Sequence, residues 1–74
     1  MLIFTQDRKC VVRARTLQIQ RNIGGGKDGK YMISACPEGL GTVIAATFPD
    51  EKTALDALEK AFRAFADGAS SYSF

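Results

Sequence analysis

Apolar and polar residues change rhythm once along this chain. As far as Phe48 they form short runs and two-residue alternations separated by polar or glycine-rich breaks, which is the rhythm of β-strands; between Asp50 and Asp67 the apolar repeat lengthens to that of a helix. Strands first and helix last predict an α+β domain, an antiparallel sheet of about five strands with one C-terminal amphipathic helix packed on it. The sheet is expected to be curved, tending toward a half-barrel.

The strands are predicted over 2–5, 10–13, about 16–22, 31–36 and 42–48. Gln6, Asp7, Arg8 and Lys9 supply a polar turn that makes the first connection a tight hairpin. Within 16–22, Leu17 and Ile19 share one face while Gln18 and Gln20 share the other, as in a half-solvated strand. Parity then changes, because Cys10 and Val12 are even positions and Leu17 and Ile19 are odd. A turn at Ala14 and Arg15 accounts for the slip. One uninterrupted strand over 10–22 would put Arg13, Arg15 and Arg21 on the face of Leu17 and Ile19, too costly a burial for a small core. Pro37 closes the fourth strand, since it cannot donate to a ladder, and a loop over 37–41 leads to the fifth.

The helix opens with Asp50 as cap and Glu51 where the helix dipole favours negative charge. Ala54, Leu55, Leu58, Ala61, Phe62 and Phe65 form the stripe expected to dock on the sheet. Lys52, Asp56, Glu59, Lys60 and Arg63 lie opposite, with Asp56 and Lys60, and Glu59 and Arg63, spaced as i,i+4 ion pairs. Gly68 stands where a left-handed C-terminal cap belongs. The domain is therefore placed at 1–68, and 69–74 is a tail that either frays or lays Tyr72 and Phe74 back on the domain.

Length limits what this architecture can hold. A chain of 74 residues buries only about 60% of its unfolded surface, and such domains gain stability from disulfides, a metal or oligomerisation. With no His and two cysteines, Cys10 and Cys36, far from CxxC spacing, no four-ligand metal site is expected. The opening Met1, Leu2, Ile3 and Phe4 is too short an apolar run for a secretory signal, so the expected compartment is the reducing cytoplasm and the thiols read as half-buried packing groups in strands. No stretch approaches the roughly 20 apolar residues of a membrane span. Oligomerisation remains, and a homodimer is the favoured form.

Gly24, Gly26 and Gly29 match GxGxxG, and Gly24 to Lys30 match GxxxxGK, two phosphate-cradling patterns. Both need a following helix, and the second needs Ser or Thr where this chain has Tyr31, so the segment reads as a hairpin connection and no cofactor is expected. No nucleophile stands beside a base, so no catalytic residue is assigned and the protein is not expected to be an enzyme; chemistry at Cys10 or Cys36 is the poorest reading.

Charge is divided along the chain. Residues 1–36 carry seven bases and two acids, a balance of +5, whereas residues 37–74 carry three bases and six acids, a balance of −3. A basic sheet surface made by Arg8, Arg13, Arg15, Arg21, Lys27 and Lys30 could bind nucleic acid. The same split suits strand edges protected by cations, or the basic sheet of one subunit meeting the acidic helix of another.

The run Val43, Ile44, Ala45, Ala46, Thr47 and Phe48, the connection Pro49 to Ala54, the helix positions Leu55, Leu58 and Phe62, the segment Gly68 to Tyr72, and the opening Met1 to Asp7 resemble short proteins of unknown function from prophage-like and conjugative elements of Gram-positive bacteria. That resemblance implies a β-rich domain with one C-terminal helix in a bacterial or phage setting. It supplies no activity and no functional residues. The functional expectation is a small non-enzymatic interaction module that self-associates; the alternative is a nucleic-acid-binding accessory protein, and a different protein partner stays open.

Overall fold

The computed structural model of the protein describes residues 1–24, 26–37 and 41–74. Gly25, within the glycine-rich pattern, and residues 38–40 of the expected 37–41 loop lie outside the described residues. The elements are β1 (Leu2–Phe4), β2 (Val11–Arg21), β3 (Tyr31–Pro37), β4 (Val43–Phe48), α1 (Glu51–Ala66) and β5 (Ser71–Ser73). They build one mixed, mostly antiparallel sheet in the order β4-β3-β2-β1-β5, so the fold is α+β as expected.

Two expectations about the strands are corrected. The segments 10–13 and 16–22 are one strand, β2, and the parity change between them is made by a β-bulge rather than a turn: Ala14 pairs with Pro37 and Thr16 with Cys36, leaving Arg15 as the extra residue. The bulge keeps Val12 and Ala14 buried and Leu17 and Ile19 half-buried while Arg13, Arg15 and Arg21 remain exposed. One long strand is therefore compatible with solvated arginines, because a single inserted residue resets which face follows. The second correction concerns 69–74, where Ser71–Ser73 form β5, parallel to β1, with Leu2 opposite Ser71 and Phe4 opposite Ser73. A strand thus follows the helix. Its aromatics do turn back on the domain: the Tyr72 ring lies 6.2 Å from that of Phe65 and 5.1 Å from that of Phe74.

The first hairpin turns as expected. Thr5 is buried, its hydroxyl donating to Asp7 Oδ1 at 2.7 Å and accepting the Cys10 N–H at 3.2 Å, and the Arg8 N–H closes on the Thr5 carbonyl at 2.9 Å. Past the turn Cys10 is exposed and Cys36 only half-buried, and both are free thiols.

A second bulge, between Ile33 paired with Ala46 and Ser34 paired with Ile44, admits both Ala45 and Ala46 to the buried layer. The sheet curves far enough for the residue after Thr5 to meet its opposite edge. The Gln6 N–H donates to the Ala45 carbonyl at 2.8 Å, although no ladder closes the barrel.

Helix α1 starts as predicted, the Asp50 carboxylate accepting the Thr53 N–H and the Thr53 hydroxyl, each at 2.8 Å. These two bonds hold the Asp50 carboxyl below its ordinary value of 3.8. At the other end the Ala69 N–H reaches the Ala64 carbonyl and the Gly68 N–H the Phe65 carbonyl, both at 3.0 Å, a Schellman closure with Gly68 at φ +100. Glu59 and Arg63 form their expected bridge at 2.7 Å; no bridge joins Asp56 to Lys60 among the described residues.

The docking stripe is narrower than expected and turned. Ala54 and Ala61 are fully buried, Ala57, Leu58 and Phe65 pack against the core cluster, and Leu55 and Phe62 stay exposed. Successive residues are separated by about 100° around a helix, so centring the contact on Ala54 and Ala61 carries Leu55 and Phe62 to the flank. Small side chains at the contact allow close approach of helix and sheet. The consequence is a core poor in bulk: among the described residues the buried apolar ones are Ile3, Val12 and Ile33 together with six alanines.

Candidate interaction surface

Three large apolar side chains among the described residues gather outside this core. Phe62 is 70% exposed, Leu55 50% and Met1 41%. With Leu17, Leu58 and Phe65 they line a groove of about 800 Å³ between the flank of α1 and the middle of β2, rimmed by Lys52, Asp56 and Glu59. The local causes are separate. The alanine-centred contact of α1 puts Leu55 and Phe62 outside, and the Arg15 bulge turns Leu17 toward them. Met1 is held alongside by its amino group, which donates to the Ala14 carbonyl at 3.2 Å. An apolar groove with a charged rim is suited to burying a matching apolar surface.

The six basic residues read from the sequence are not brought to one place. Arg8, at φ 65 in the first hairpin, lays its guanidinium 4.9 Å from the Phe4 ring centre and donates to Ser73 Oγ at 2.6 Å, tying the turn to β5. Arg13 is exposed on β2 beside β1, and Arg15 occupies the bulge. Arg21 and Lys30 line a second groove with Asn22, Ile23 and Gly26 at the far end of β2, and Lys27 is exposed in the same connection. Eight residues of strand separate Arg13 from Arg21, about 26 Å at strand rise. The connection leads into β3 and not into a helix, so the glycine pattern lacks the helix N-terminus on which phosphate cradling depends.

Sheet edges are the remaining surface, and they differ. The β4 edge is occupied by Gln6: its Oε1 accepts the Thr47 N–H at 3.0 Å, its Nε2 donates to the Thr47 carbonyl at 3.4 Å, and its backbone N–H takes Ala45. The β5 edge is three residues long and carries Arg8. The third edge lies within β2. Strand β1 covers β2 only as far as Ala14, whose N–H donates to the Met1 carbonyl at 2.8 Å, and among the described residues no strand pairs with 16–21 on that side.

The exposed Leu55 and Phe62 had a legible signal. Ala54, Ala57, Ala61 and Ala64 recur at helical spacing and mark a close-contact stripe of their own, one step around the helix from Leu55 and Phe62. Among the described residues no group of three or more potential metal ligands is found, and no helix is long and apolar enough to cross a membrane. Compared with protein-family models, with curated proteins and with solved structures, the chain matches none of them.

Proposed function

We propose that this protein is a small non-enzymatic interaction module that works by associating with a second copy of itself, in the bacterial or phage cytoplasmic setting that its sequence resemblance implies. One observation carries the reading: among the described residues the buried apolar side chains larger than alanine are Ile3, Val12 and Ile33, while Leu55, Phe62 and Met1 are left on a single groove outside it. Fully burying Leu or Phe is worth about 1.5–3 kcal/mol each, so covering the groove gains what the alanine-rich core forgoes. A second copy is the partner whose own edge and charges fit the groove. Arg21 and the basic half of one chain complement Asp56 and Glu59 on the rim of the other.

Sedimentation equilibrium across protein concentration tests this. The expected result is a mass rising to that of a dimer, with Leu55→Ser and Phe62→Ser together weakening association at least tenfold while leaving the circular dichroism of the fold unchanged. A concentration-independent monomer mass overturns the reading. Ala61→Leu serves as the contrasting variant, because it pushes α1 off the sheet and costs the fold itself about 1–3 kcal/mol.

A second reading, nucleic-acid binding, is favoured only by the gathering of Arg21, Lys27 and Lys30 at one end of the sheet, where two of them line a common groove. Its signature is a complex that weakens steeply with salt, with Lys27→Ala and Lys30→Ala each lowering the salt slope by about one. No shift of labelled duplex or single strand at low salt removes it.

A further inference from the structure

The uncovered half of β2 has a direction and a register of its own. Within the β2–β3 ladder Arg21 pairs with Tyr31, Ile19 with Ile33 and Leu17 with Ala35, and the Asn22 N–H donates to the Lys30 carbonyl at 2.7 Å. That bond marks the even-numbered pairs as hydrogen-bonded, so the pairs made by Leu17, Ile19 and Arg21 are the open ones. Their N–H and C=O groups therefore point away from β3, toward the side that β1 leaves vacant after Ala14. Leu17 belongs both to this edge and to the apolar groove, so a strand laid here would also cover Leu55 and Phe62.

We infer that this edge pairs antiparallel with the same edge of a second copy, about a two-fold axis at Ile19. The inference rests on the self-association proposed above and specifies its interface. A two-fold axis is compatible with a hydrogen-bonded antiparallel pair, and Ile19 opposite its own mate is such a pair. Leu17 then faces Arg21 of the other copy, and Gln18 faces Gln20. Three independent features agree with this register. The outward side chains across the axis, Gln18 and Gln20, are exposed, uncharged and able to hydrogen-bond, so no like charges oppose one another. Arg21 of one copy is carried past Leu17 to the groove rim that holds Asp56 and Glu59. The turn after β2, with Ile23 95% exposed, is carried toward the exposed Met1. The other two edges agree by contrast, since Gln6 occupies the β4 edge and β5 is only three residues long. The edge over 16–21, which no strand among the described residues covers, is an aggregation hazard in a monomer, and a closed two-fold pairing removes it.

Nitroxide labels at Gln18→Cys, in a chain whose own thiols are replaced by Cys10→Ser and Cys36→Ser, test the register. In the paired dimer the two labelled positions lie about 8 Å apart at the backbone, two residues along and one strand across, so their spectra should broaden strongly by dipolar coupling. Labels at Arg13→Cys, about 40 Å apart in the same register, should stay sharp. The second measurement uses Gln18→Glu with Gln20→Glu, exposed outward positions whose change leaves the monomer fold intact and sets like charges opposite each other across the axis. Its dimer dissociation constant should rise at least tenfold. Sharp Gln18 spectra in a sample shown to be dimeric, or a dissociation constant unmoved by the double substitution, overturn the β2 interface while leaving self-association standing. A wild-type protein that stays monomeric overturns both.

Discussion

The side-chain amide of Gln6 stands in for a backbone peptide opposite Thr47, accepting the Thr47 N–H at 3.0 Å and donating to the Thr47 carbonyl at 3.4 Å. One residue of the first turn thereby completes the hydrogen bonding of an edge strand distant in sequence and holds the sheet in its curve. Gln6→Ala removes both bonds and reopens the β4 edge. The expected loss is about 1 kcal/mol of stability by urea unfolding, with light scattering appearing at lower protein concentration than for the wild type. Gln6→Glu keeps the acceptor for Thr47 N–H but sets a carboxylate against the Thr47 carbonyl, so its stability should fall below that of wild type as well.

The Arg15 bulge gives a sharper test. Deleting Arg15 removes the one extra residue, so Thr16 follows Ala14 directly and alternation runs uninterrupted with Val12, Ala14, Leu17 and Ile19 on one face. The deletion should therefore retain cooperative urea unfolding, read by circular dichroism. Deleting Gln18 instead leaves the bulge in place and turns Ile19 to solvent, so it should abolish the cooperative transition.

These two residues show where legibility in the sequence ended. The parity conflict between Val12 and Leu17 was visible and correctly required a break, but a turn and a bulge both satisfy alternation, and only the pairing of Ala14 with Pro37 and Thr16 with Cys36 separates them. Asp50, Gly68 and the change of period at the helix start act locally, so the sequence located them. The placement of β5 was not local. Ser71–Ser73 form a strand because β1 offers an uncovered side and Tyr72 meets Phe65, both tertiary facts. The helix face failed for a related reason: periodicity weights large apolar residues, whereas the depth of contact here is set by Ala54 and Ala61. The basic residues were correctly read as surface groups, but the spread of Arg13, Arg15 and Arg21 along β2 depended on the two short strands joining in one.

Acid should weaken the fold partly through two caps. The Thr5 hydroxyl and then the Lys9 N–H hold the Asp7 carboxyl below its ordinary 3.8, as the Thr53 N–H and hydroxyl do for Asp50. A carboxyl whose folded value is depressed binds protons more weakly than in the unfolded chain. Its stabilisation is present above the unfolded value and is lost as pH falls through the folded one. Both groups are solvent-exposed, so the effect is a modest slope and not a collapse. Asp50→Asn keeps a capping oxygen without the titration, so wild type should be the more stable near neutral pH and the difference should shrink as the medium is taken below the ordinary carboxyl value of 3.8, compared by urea midpoints.

Gly68 carries the turn from α1 into β5 at φ +100, and a β-carbon built there meets nothing within 4 Å. Any cost of a side chain at this position is therefore conformational and not steric crowding by neighbours. For an L-residue the left-handed backbone costs about 1–2 kcal/mol, so Gly68→Ala should destabilise by about that amount. Gly68→Asn should cost less, because asparagine visits this region more readily. The decisive variant is D-alanine at position 68, introduced by chemical synthesis. Its β-carbon favours positive φ and restricts the unfolded chain, so it should raise the urea midpoint above that of wild type. If the exit conformation also positions β5, as the bonds from Gly68 to Phe65 and from Ala69 to Ala64 require, amide exchange at Leu2 and Phe74 should speed up in the L-alanine variant and slow in its D-alanine counterpart, since those two N–H groups donate to Ser70 and Phe4 across the β1–β5 pair.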